Sequence, residues 1–524
     1  MSAIITDQLR VLNAANFAAG IKTTTNSYYS FINLPNATDV QSDWDTNVPD
    51  PKDSFHQEDR YWDTMIALKK IGAGDVKRVI RKISWTSGTT YDYYRDDYSR
   101  DNTAGQTGAS NLYGANYYVM NSDYRVYICI ANGFDPDNLL GKPSLDEPLH
   151  TDLEPKAAGT SGDGYLWKYL YTINPGDLVK FESTNFIPVP DDWKTTTNAN
   201  ITAVRGNAAL SGNQLKNIVI TNRGAGYGNA ATYTNVPVNG NGNNAKCSVT
   251  VNSSGQVSAV SVTQGGNGYT YGTVDLEAGG ITNTSGSTDA VFNVIIPPQG
   301  GHGADIYREL GATRVLVYSR IENDDSNPDF VTGQQFARVG LVKNPEENAS
   351  STVVSATQAS AVYALRLTGA GVTAATFTAD SRVRQTVGVG STAVGQVVAW
   401  NATTRVLKYW QASALAGFTT AGIAKTNPEY GFELHDFSST VATGGTTVIS
   451  GGSVDLNIDL DYSGITTVIN NKTYNLGQTF TEGVAPPEVK KYSGEIIYVD
   501  NRACLLYTSP SPRDRTRSRM PSSA

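Results

Sequence analysis

The feature that most constrains the fold is a run of aromatic residues at every second position of the segment 161–181. These residues are Tyr165, Trp167, Tyr169 and Tyr171. Side chains alternate between the two faces of a strand, so the pattern predicts a β-strand with four rings on one face. Four rings are costly to leave in water, so we expect this face to pack against another layer or another chain. With Trp193, the four rings are the candidates for core or interface packing.

Composition favours many short strands joined by turns. The chain has 524 residues, including 50 Gly and 29 Tyr, and only 17% of its residues are charged. This length exceeds what one hydrophobic core usually supports and predicts about three domains. We therefore expect a mainly β, multidomain chain, with a discontinuous β core and a few short helices.

Charge and cysteine spacing argue against several classes of protein. The formal net charge of -8 gives no general basic field, so nucleic acid is not expected as a partner. No segment approaches the roughly 18 apolar residues of a membrane span, and the N-terminus does not have the pattern of a signal peptide. Cys129, Cys247 and Cys504 lie far apart and are expected to be free thiols. No zinc-binding spacing is present, and no cofactor is expected.

Two helices are predicted near the N-terminus. Thr6 can cap a helix from Asp7 to Ala19 that ends at Gly20. Its apolar side would be formed by Leu9, Leu12, Ala15, Phe17 and Ala19. This arm could pack on its own domain or on a neighbouring subunit, and the sequence does not choose between them. A second helix is predicted over 61–71, where apolar residues follow a helical period before a glycine.

A glycine-rich repeat follows residue 200. The segment 218–227 (IVITNRGAGY) is repeated at 260–269 (VSVTQGGNGY), and the residues between them predict a hairpin that turns at 252–255. No helix follows either glycine turn and no Gly-Lys-Ser/Thr triplet is present. These glycines are therefore not expected to bind phosphate.

Changes of composition predict a core that two inserted β modules interrupt. In order, we expect an arm helix at 1–20, a core β domain at 21–199, a Gly-rich repeat module at 200–298, a core continuation at 299–345, an inserted β barrel or sandwich at 346–484, and a closing core strand at 485–502. The Ser/Pro/Arg-rich end, 503–524, is predicted to be a non-native or disordered tail.

The titratable residues do not form a catalytic pattern. Acidic pairs such as Asp96 and Asp97 are adjacent in sequence, which does not supply two carboxylates across a cleft. The three aspartates of 455–461 have neither the glycine turn nor the terminal glutamate of a compact calcium loop. His302 has no serine or cysteine elbow to work with, and we interpret it as a turn residue that hydrogen-bonds locally. We therefore predict no catalytic residue, no metal site and no enzyme activity.

Several motifs occur in a specific order along the chain. They are GDGYLWKYLYTI with FIPVP, GGHGAD with YRELGA, FARVGLVKNP, and YSGEIIYVDNR. In this order they resemble the baseplate wedge subunit of T4-like contractile-tailed phages, the eighth gene product type. The segment RVIRKISWTSGTTYDYYRDD resembles that family as well. The resemblance covers about 20–195, 300–345 and 485–502, and the two inserts are what the shorter family members lack.

The resemblance implies a mainly β structural subunit of the virion tail baseplate, assembled in the host cytoplasm. It implies a homodimer, one per wedge, that binds other wedge proteins, and it implies no enzyme activity. The chain departs from the family after Arg502, where relatives continue with a proline-containing turn and a final strand.

Two other classes of function remain open from the residues alone. The inserts could be carbohydrate-binding β modules of a host-recognition adhesin or tail fibre component. A polysaccharide lyase or hydrolase would need a cleft lined by carboxylates, which sequence adjacency does not provide.

Overall fold

The fold is mainly β, as predicted, with several sheets and few helices. The computed structural model describes residues 6–33, 54, 58, 61–62, 65–210, 214–321, 338–347, 351–354 and 493–500, and short segments between 363 and 483. The chain divides into two compact units. Unit 1 comprises 1–19 and 76–317, and unit 2 comprises 20–75 and 318–524. Among the described residues, no helix is long and apolar enough to cross a membrane.

Two three-stranded sheets and several helices build the main core of unit 1. The first sheet has the order β4 (Tyr118–Met120), β5 (Arg125–Asn132), β6 (Tyr165–Thr172). The second has the order β14 (Arg314–Val317), β3 (Val76–Arg81), β7 (Phe186–Pro188). The helices are α1 (Asp7–Lys22), whose last three residues belong to unit 2, α2 (Pro175–Phe181), α3 (Ala199–Leu210) and α4 (Ile306–Glu309).

The glycine-rich repeat forms a second hydrophobic core within unit 1. Its four-stranded sheet has the order β11 (Val257–Asn267), β10 (Asn243–Val251), β9 (Thr232–Gly240), β12 (Gly272–Val274), and β8 (Asn217–Asn222) pairs with β13 (Val291–Ile295). The predicted hairpin is β10–β11, and its turn is closed by a bond from Gly255 N to Asn252 O. Buried apolar side chains from both sheets meet in one cluster.

The two copies of the repeat have matching conformations at their glycine turns. The paired glycines have left-handed φ values: 62° at Gly224 and 59° at Gly266, then 78° at Gly226 and 79° at Gly268. Each turn leads to a buried tyrosine. The Tyr227 hydroxyl accepts a hydrogen bond from Ala290 N (2.8 Å), and the Tyr269 hydroxyl accepts one from Ala245 N (3.2 Å). The repeated tyrosine therefore ties its glycine turn to a neighbouring backbone segment in both copies.

Unit 2 contains a sheet assembled from distant parts of the sequence. Its order is β2 (Met65–Lys70), β1 (Tyr28–Asn33), β15 (Arg338–Lys343), β26 (Glu495–Asp500). The described part of its core includes Tyr29, Phe31, Trp62 and Val342. The sheet joins segments from the start, middle and end of the predicted core, whereas residues 76–199 of that predicted core belong to unit 1.

The remaining strands of unit 2 fall within 346–484, where a β module is predicted. A six-stranded sheet has the order β22 (Ile449–Gly452), β17 (Arg382–Gly388), β18 (Ser391–Asn401), β19 (Val406–Trp410), β16 (Tyr363–Thr368), β25 (Thr481–Gly483). Two short pairs are β20 (Lys425–Thr426) with β21 (Glu433–Leu434), and β23 (Thr467–Ile469) with β24 (Lys472–Tyr474). The aspartates of 455–461 and the tail 503–524 lie outside the described residues.

The helix predicted over 61–71 is wrong for most of its length. Residues 65–70 form the strand β2, which pairs with β1 so that Leu68 lies opposite Phe31. A dense apolar run fits a buried strand as well as a helix, and pairing with β1 buries Met65 and Leu68. Tertiary pairing therefore overrides the local helical period.

Helix α1 is present, but its boundary and its buried side differ from the prediction. It continues through Gly20 to Lys22. The buried residues are Val11, Ala14, Ala18 and Ile21, whereas Leu9 and Leu12 are 43% and 54% exposed. Val11 belongs to the main core of unit 1. The part of the arm in unit 1 therefore packs on its own unit and turns its two leucines outward.

Gly340 allows two neighbouring strands to approach β15 closely. A Cβ at this position would collide with the Phe31 ring and lie 2.6 Å from Tyr498 O. We expect Gly340→Ala to lower the free energy of unfolding by about 1–3 kcal/mol through overpacking. Calorimetric unfolding of the full chain would measure the loss.

Gly74→Ala is the matched control for this prediction, because no atom lies within 4 Å of the Cβ that it adds. It should change stability by no more than about 0.5 kcal/mol. Equal stabilities of the two variants would contradict the close approach at Gly340.

Candidate functional site

The aromatic strand β6 is buried on both faces. Its four aromatic residues are each at most 4% exposed, and Trp193 is fully buried. The opposite face is not a solvent face either, because Leu170 is fully buried and Lys168 is 1% exposed. Thr172, at the end of the strand, is exposed. The strand therefore lies in the middle of the unit 1 core.

The four rings do not share one face, because the pairing of β6 with β5 shifts register at Leu170. Consecutive residues of β5 lie opposite Tyr169 and Tyr171, so Leu170 is an extra residue on β6. Beyond it the alternation of side chains resets. Tyr169 packs against Tyr127, with ring centroids 5.8 Å apart, whereas Tyr171 packs against Trp193 at 6.2 Å. The prediction of a single four-ring face is therefore wrong at Tyr171.

The loop 91–98 covers the face that carries Tyr165 and Trp167. These two rings stack with centroids 5.3 Å apart, and Tyr91 meets Trp167 edge-on at 5.9 Å. Tyr91 N donates to the Tyr165 hydroxyl (2.8 Å), which itself donates to Lys142 O (2.7 Å). The aromatic side chains of this loop are thus part of the core.

Trp193 connects the chain after β7 to the loop that contains GGHGAD. Its indole Nε1 donates to Gly303 O (2.9 Å), and its backbone N donates to the Tyr307 hydroxyl (3.1 Å). Tyr307 in turn donates to Pro190 O (2.6 Å), and the Arg78 guanidinium lies 3.4 Å from the Tyr307 ring centroid. Segments more than 100 residues apart in sequence are joined here by buried hydrogen bonds.

The five sequence candidates are therefore core residues of unit 1. None of Tyr165, Trp167, Tyr169, Tyr171 and Trp193 reaches the surface of the unit. Contacts with another chain would have to use other residues.

His302 makes a local hydrogen bond, as predicted. Its Nδ1 lies 2.6 Å from Oε1 of Glu309 on α4, and the other carboxylate oxygen accepts from Gly303 N at 2.7 Å. The Tyr94 ring stands perpendicular to the imidazole, with centroids 4.7 Å apart. Gly303 has a φ of 92°, a conformation that favours glycine and lets the loop fold back onto Glu309. The arrangement fastens the GGHGAD turn to α4.

Lys168 is the main polar residue that the sequence reasoning did not select. Its Nζ donates to Leu153 O and to Oδ1 of Asn207 on α3, the latter at 2.6 Å. Burial lowers the pKa of the Lys168 ammonium to about 8, because desolvation disfavours the charge. The sequence did contain a signal for this residue, because Lys168 is in the middle of a predicted strand with an apolar neighbour on each side.

Lys168 belongs to a group of four polar residues that we call the lysine cluster. The other three are Asn207, Glu154 and Lys216. Asn207 Nδ2 donates to Glu154 Oε1 (2.7 Å), and Lys216 Nζ donates to Glu154 Oε2 (2.6 Å). Burial opposes ionisation of Glu154, but the hydrogen bonds from Lys216 and Asn207 hold its pKa below the usual range. A cavity of about 10 Å³ lies between this cluster and His302, which is about the room that one water needs.

The other candidate groups have structural partners. Asp97 pairs with Arg95 (2.8 Å) and accepts from Asn293, and Asp96 accepts from Ile296 N (3.0 Å). In the described ranges, no group of three or more His, Cys, Asp or Glu is arranged to hold a metal ion.

The two described cysteines are free thiols in the interior. Cys129 and Cys247 are both buried, and burial raises the pKa of the Cys247 thiol to about 11. Such thiols are poor nucleophiles at neutral pH. Cys504 lies outside the described residues.

Comparison with known proteins does not assign the chain to a family: no family model matches it, and no curated protein does so either.

The two buried tryptophans provide a test of the hydrogen bond at Gly303. Trp193 Nε1 donates to Gly303 O, whereas Trp167 Nε1 has no hydrogen-bond partner among the described residues. Both substitutions to Phe remove a similar volume, but only Trp193→Phe leaves a buried carbonyl without its donor. We expect Trp193→Phe to be more destabilising than Trp167→Phe by about 1–3 kcal/mol. Denaturant unfolding of both variants measures the difference, and equal losses would contradict it.

Proposed function

We propose that the chain is a structural subunit of the baseplate wedge of a contractile phage tail. It would act in baseplate assembly by forming a homodimer and by binding other wedge proteins. The observation that carries the proposal is that the motifs resembling this family contact one another within each unit, although they are far apart in sequence.

Three of these motifs meet in unit 1. The Tyr171 hydroxyl, from GDGYLWKYLYTI, donates to Pro188 O of FIPVP at 3.3 Å. The Tyr307 hydroxyl, from YRELGA, donates to Pro190 O of the same segment at 2.6 Å. Contacts of this kind constrain the tyrosine side chain of one motif and the backbone of the other. Contact between the motifs therefore supports a shared scaffold over an accidental match of short segments.

Two further motifs meet in unit 2. FARVGLVKNP contains β15 and YSGEIIYVDNR contains β26, and these strands pair with Leu341 opposite Tyr498. Glu346 N also donates to the Ser493 hydroxyl (2.9 Å), which extends the contact beyond the strands. The segments without resemblance have their own sheets, and 215–295 has its own core. These separate sheets support a family scaffold that carries two inserted β modules.

Because the five aromatic candidates are buried, subunit contacts are proposed at exposed apolar side chains. In the loop between β5 and β6 these are Leu139, Leu140, Leu145 and Leu149, each at least half exposed. Leu149 is displayed on a fixed backbone, since Arg125 Nη1 donates to its carbonyl and Asn121 Nδ2 donates to Pro148 O. A preorganised apolar surface is what a lasting protein contact uses.

Immunogold electron microscopy of the virions tests the location. Antibodies raised against the purified chain are expected to label the baseplate end of the contractile tail. Label on the fibres or the head, or no label on intact and disrupted virions, would overturn the proposal. Sedimentation at micromolar concentration separately tests the homodimer, which should have twice the mass of the chain. A monomer would contradict that part alone.

One observation favours the alternative of a glycan-binding adhesin. Tyr271, just before β12, is 61% exposed, and Asn241 and Thr270 are hydrogen-bonded to each other beside it. An exposed ring with amide and hydroxyl neighbours can stack on a sugar. For a glycan-binding protein, arrays should show binding by the full chain. Tyr271→Ala should reduce this binding at least tenfold. Tyr124→Ala, which removes another exposed ring, should leave it unchanged. Absence of glycan binding would remove the alternative.

A further inference from the structure

We infer that Lys168 and Asn207 become joined by an intramolecular isopeptide bond, which the folded chain forms by itself with Glu154 as the proton-transferring residue. The inference concerns covalent chemistry within unit 1 and does not rest on the proposed function.

The two reacting groups are already in contact. Lys168 lies on β6 and Asn207 on α3, 39 residues apart, with Nζ 2.6 Å from Oδ1. The amide carbon is bonded to that oxygen, so a small rotation of the lysine brings its nitrogen against Asn207 Cγ. Holding an amine against an amide in this way gives a very high effective concentration.

The surroundings of Lys168 favour the reactive form of the amine. Only a neutral amine has a lone pair to donate, and burial of a lysine in an apolar core favours the neutral form. Lys168 is 1% exposed, and its pKa of about 8 leaves a sizeable neutral fraction near neutral pH. Leu153 O accepts a hydrogen from the same nitrogen and holds it at the site.

Glu154 contacts the group that must leave. Its Oε1 accepts from Asn207 Nδ2 at 2.7 Å. Nitrogen is a poor leaving group unless it is protonated, so a carboxylate that can receive a proton and pass it to Nδ2 is the catalyst that the reaction needs. Glu154 is also 54% exposed, which gives the released molecule a direct way to solvent.

The step balances without any oxidant or co-reactant. The lone pair of Lys168 Nζ forms a bond to Asn207 Cγ. Glu154 takes one proton from Nζ and delivers it to Nδ2, and the Cγ–Nδ2 bond then breaks. One amide is lost, one amide is formed, one ammonia departs, and Glu154 returns to its carboxylate form.

The bond would close a covalent loop from 168 to 207. This loop includes β7 and Trp193, so the cross-link would fasten the segment that connects the sheets of unit 1. The segment between residues 168 and 207 could then no longer be extended by a force that pulls on the ends of the protein.

Mass spectrometry of the purified full chain, denatured before analysis, tests the inference. The measured mass should be about 17 Da below the sequence mass, which is the loss of one ammonia. Trypsin should then fail to cleave after Lys168 and give residues 157–180 joined to residues 206–216. A chain at its full sequence mass, with Lys168 cleaved normally, would overturn the inference.

Variants identify the groups that react. Lys168→Arg, Asn207→Ala and Glu154→Gln should each restore the full mass. Lys156→Arg is the matched control, because Lys156 is close to Glu154 in sequence but its Nζ donates to Asp152, outside the lysine cluster, and it should keep the 17 Da loss. A loss that persists in Lys168→Arg, as a cyclised asparagine would give, contradicts the cross-link. Full cross-linking in Glu154→Gln contradicts the role of Glu154. Because the Glu154 side chain is half exposed, this substitution disturbs folding least of the three.

Discussion

The extra residue at Leu170 determines how the core of unit 1 is built. A regular β6 would place all four rings on one side and leave the other side to Lys168 and two leucines. The register shift instead directs Tyr171 toward Trp193, which gives the strand an aromatic contact on each face. Trp193 then reaches Gly303, and the returning chain at 300–312 is fastened to the same core. The aromatic contact between β6 and Trp193 therefore depends on one irregularity in one strand, whereas the pairing of β14 with β3 joins the late and early parts of unit 1 independently of it.

Much of the fold could be predicted from local patterns, and the errors have a common cause. Alternating residues and turn residues correctly predict β6 and the β10–β11 hairpin, because a strand's two faces and a tight turn are encoded within a few residues. The local pattern predicts a helix at β2 because the partner strand β1 lies more than 30 residues earlier. The buried side of α1 differs from the predicted side for the same reason, since small alanines are buried and the leucines are exposed.

In the candidate site too, contacts between residues close in sequence were predictable and contacts between distant residues were not. The local bond of His302 was predictable because Glu309 is only seven residues away. The lysine cluster was not, because β6, α3 and the loop that carries Glu154 meet only in the folded chain. A polar residue inside an apolar strand is visible in sequence. Its partners, and therefore its chemistry, are set by tertiary structure.

The strand order of unit 2 has a consequence for synthesis of the protein. β15 lies between β1, near the start of the chain, and β26, near residue 500. On the ribosome, β1 and β2 emerge long before β15, and β15 long before β26. Every strand of unit 1 has emerged by residue 317, so that unit can fold while the sheet of unit 2 still has an open edge. An open edge is prone to pairing with other chains. Of the described strands, the last to be translated, β26, is the one that covers the free edge of β15.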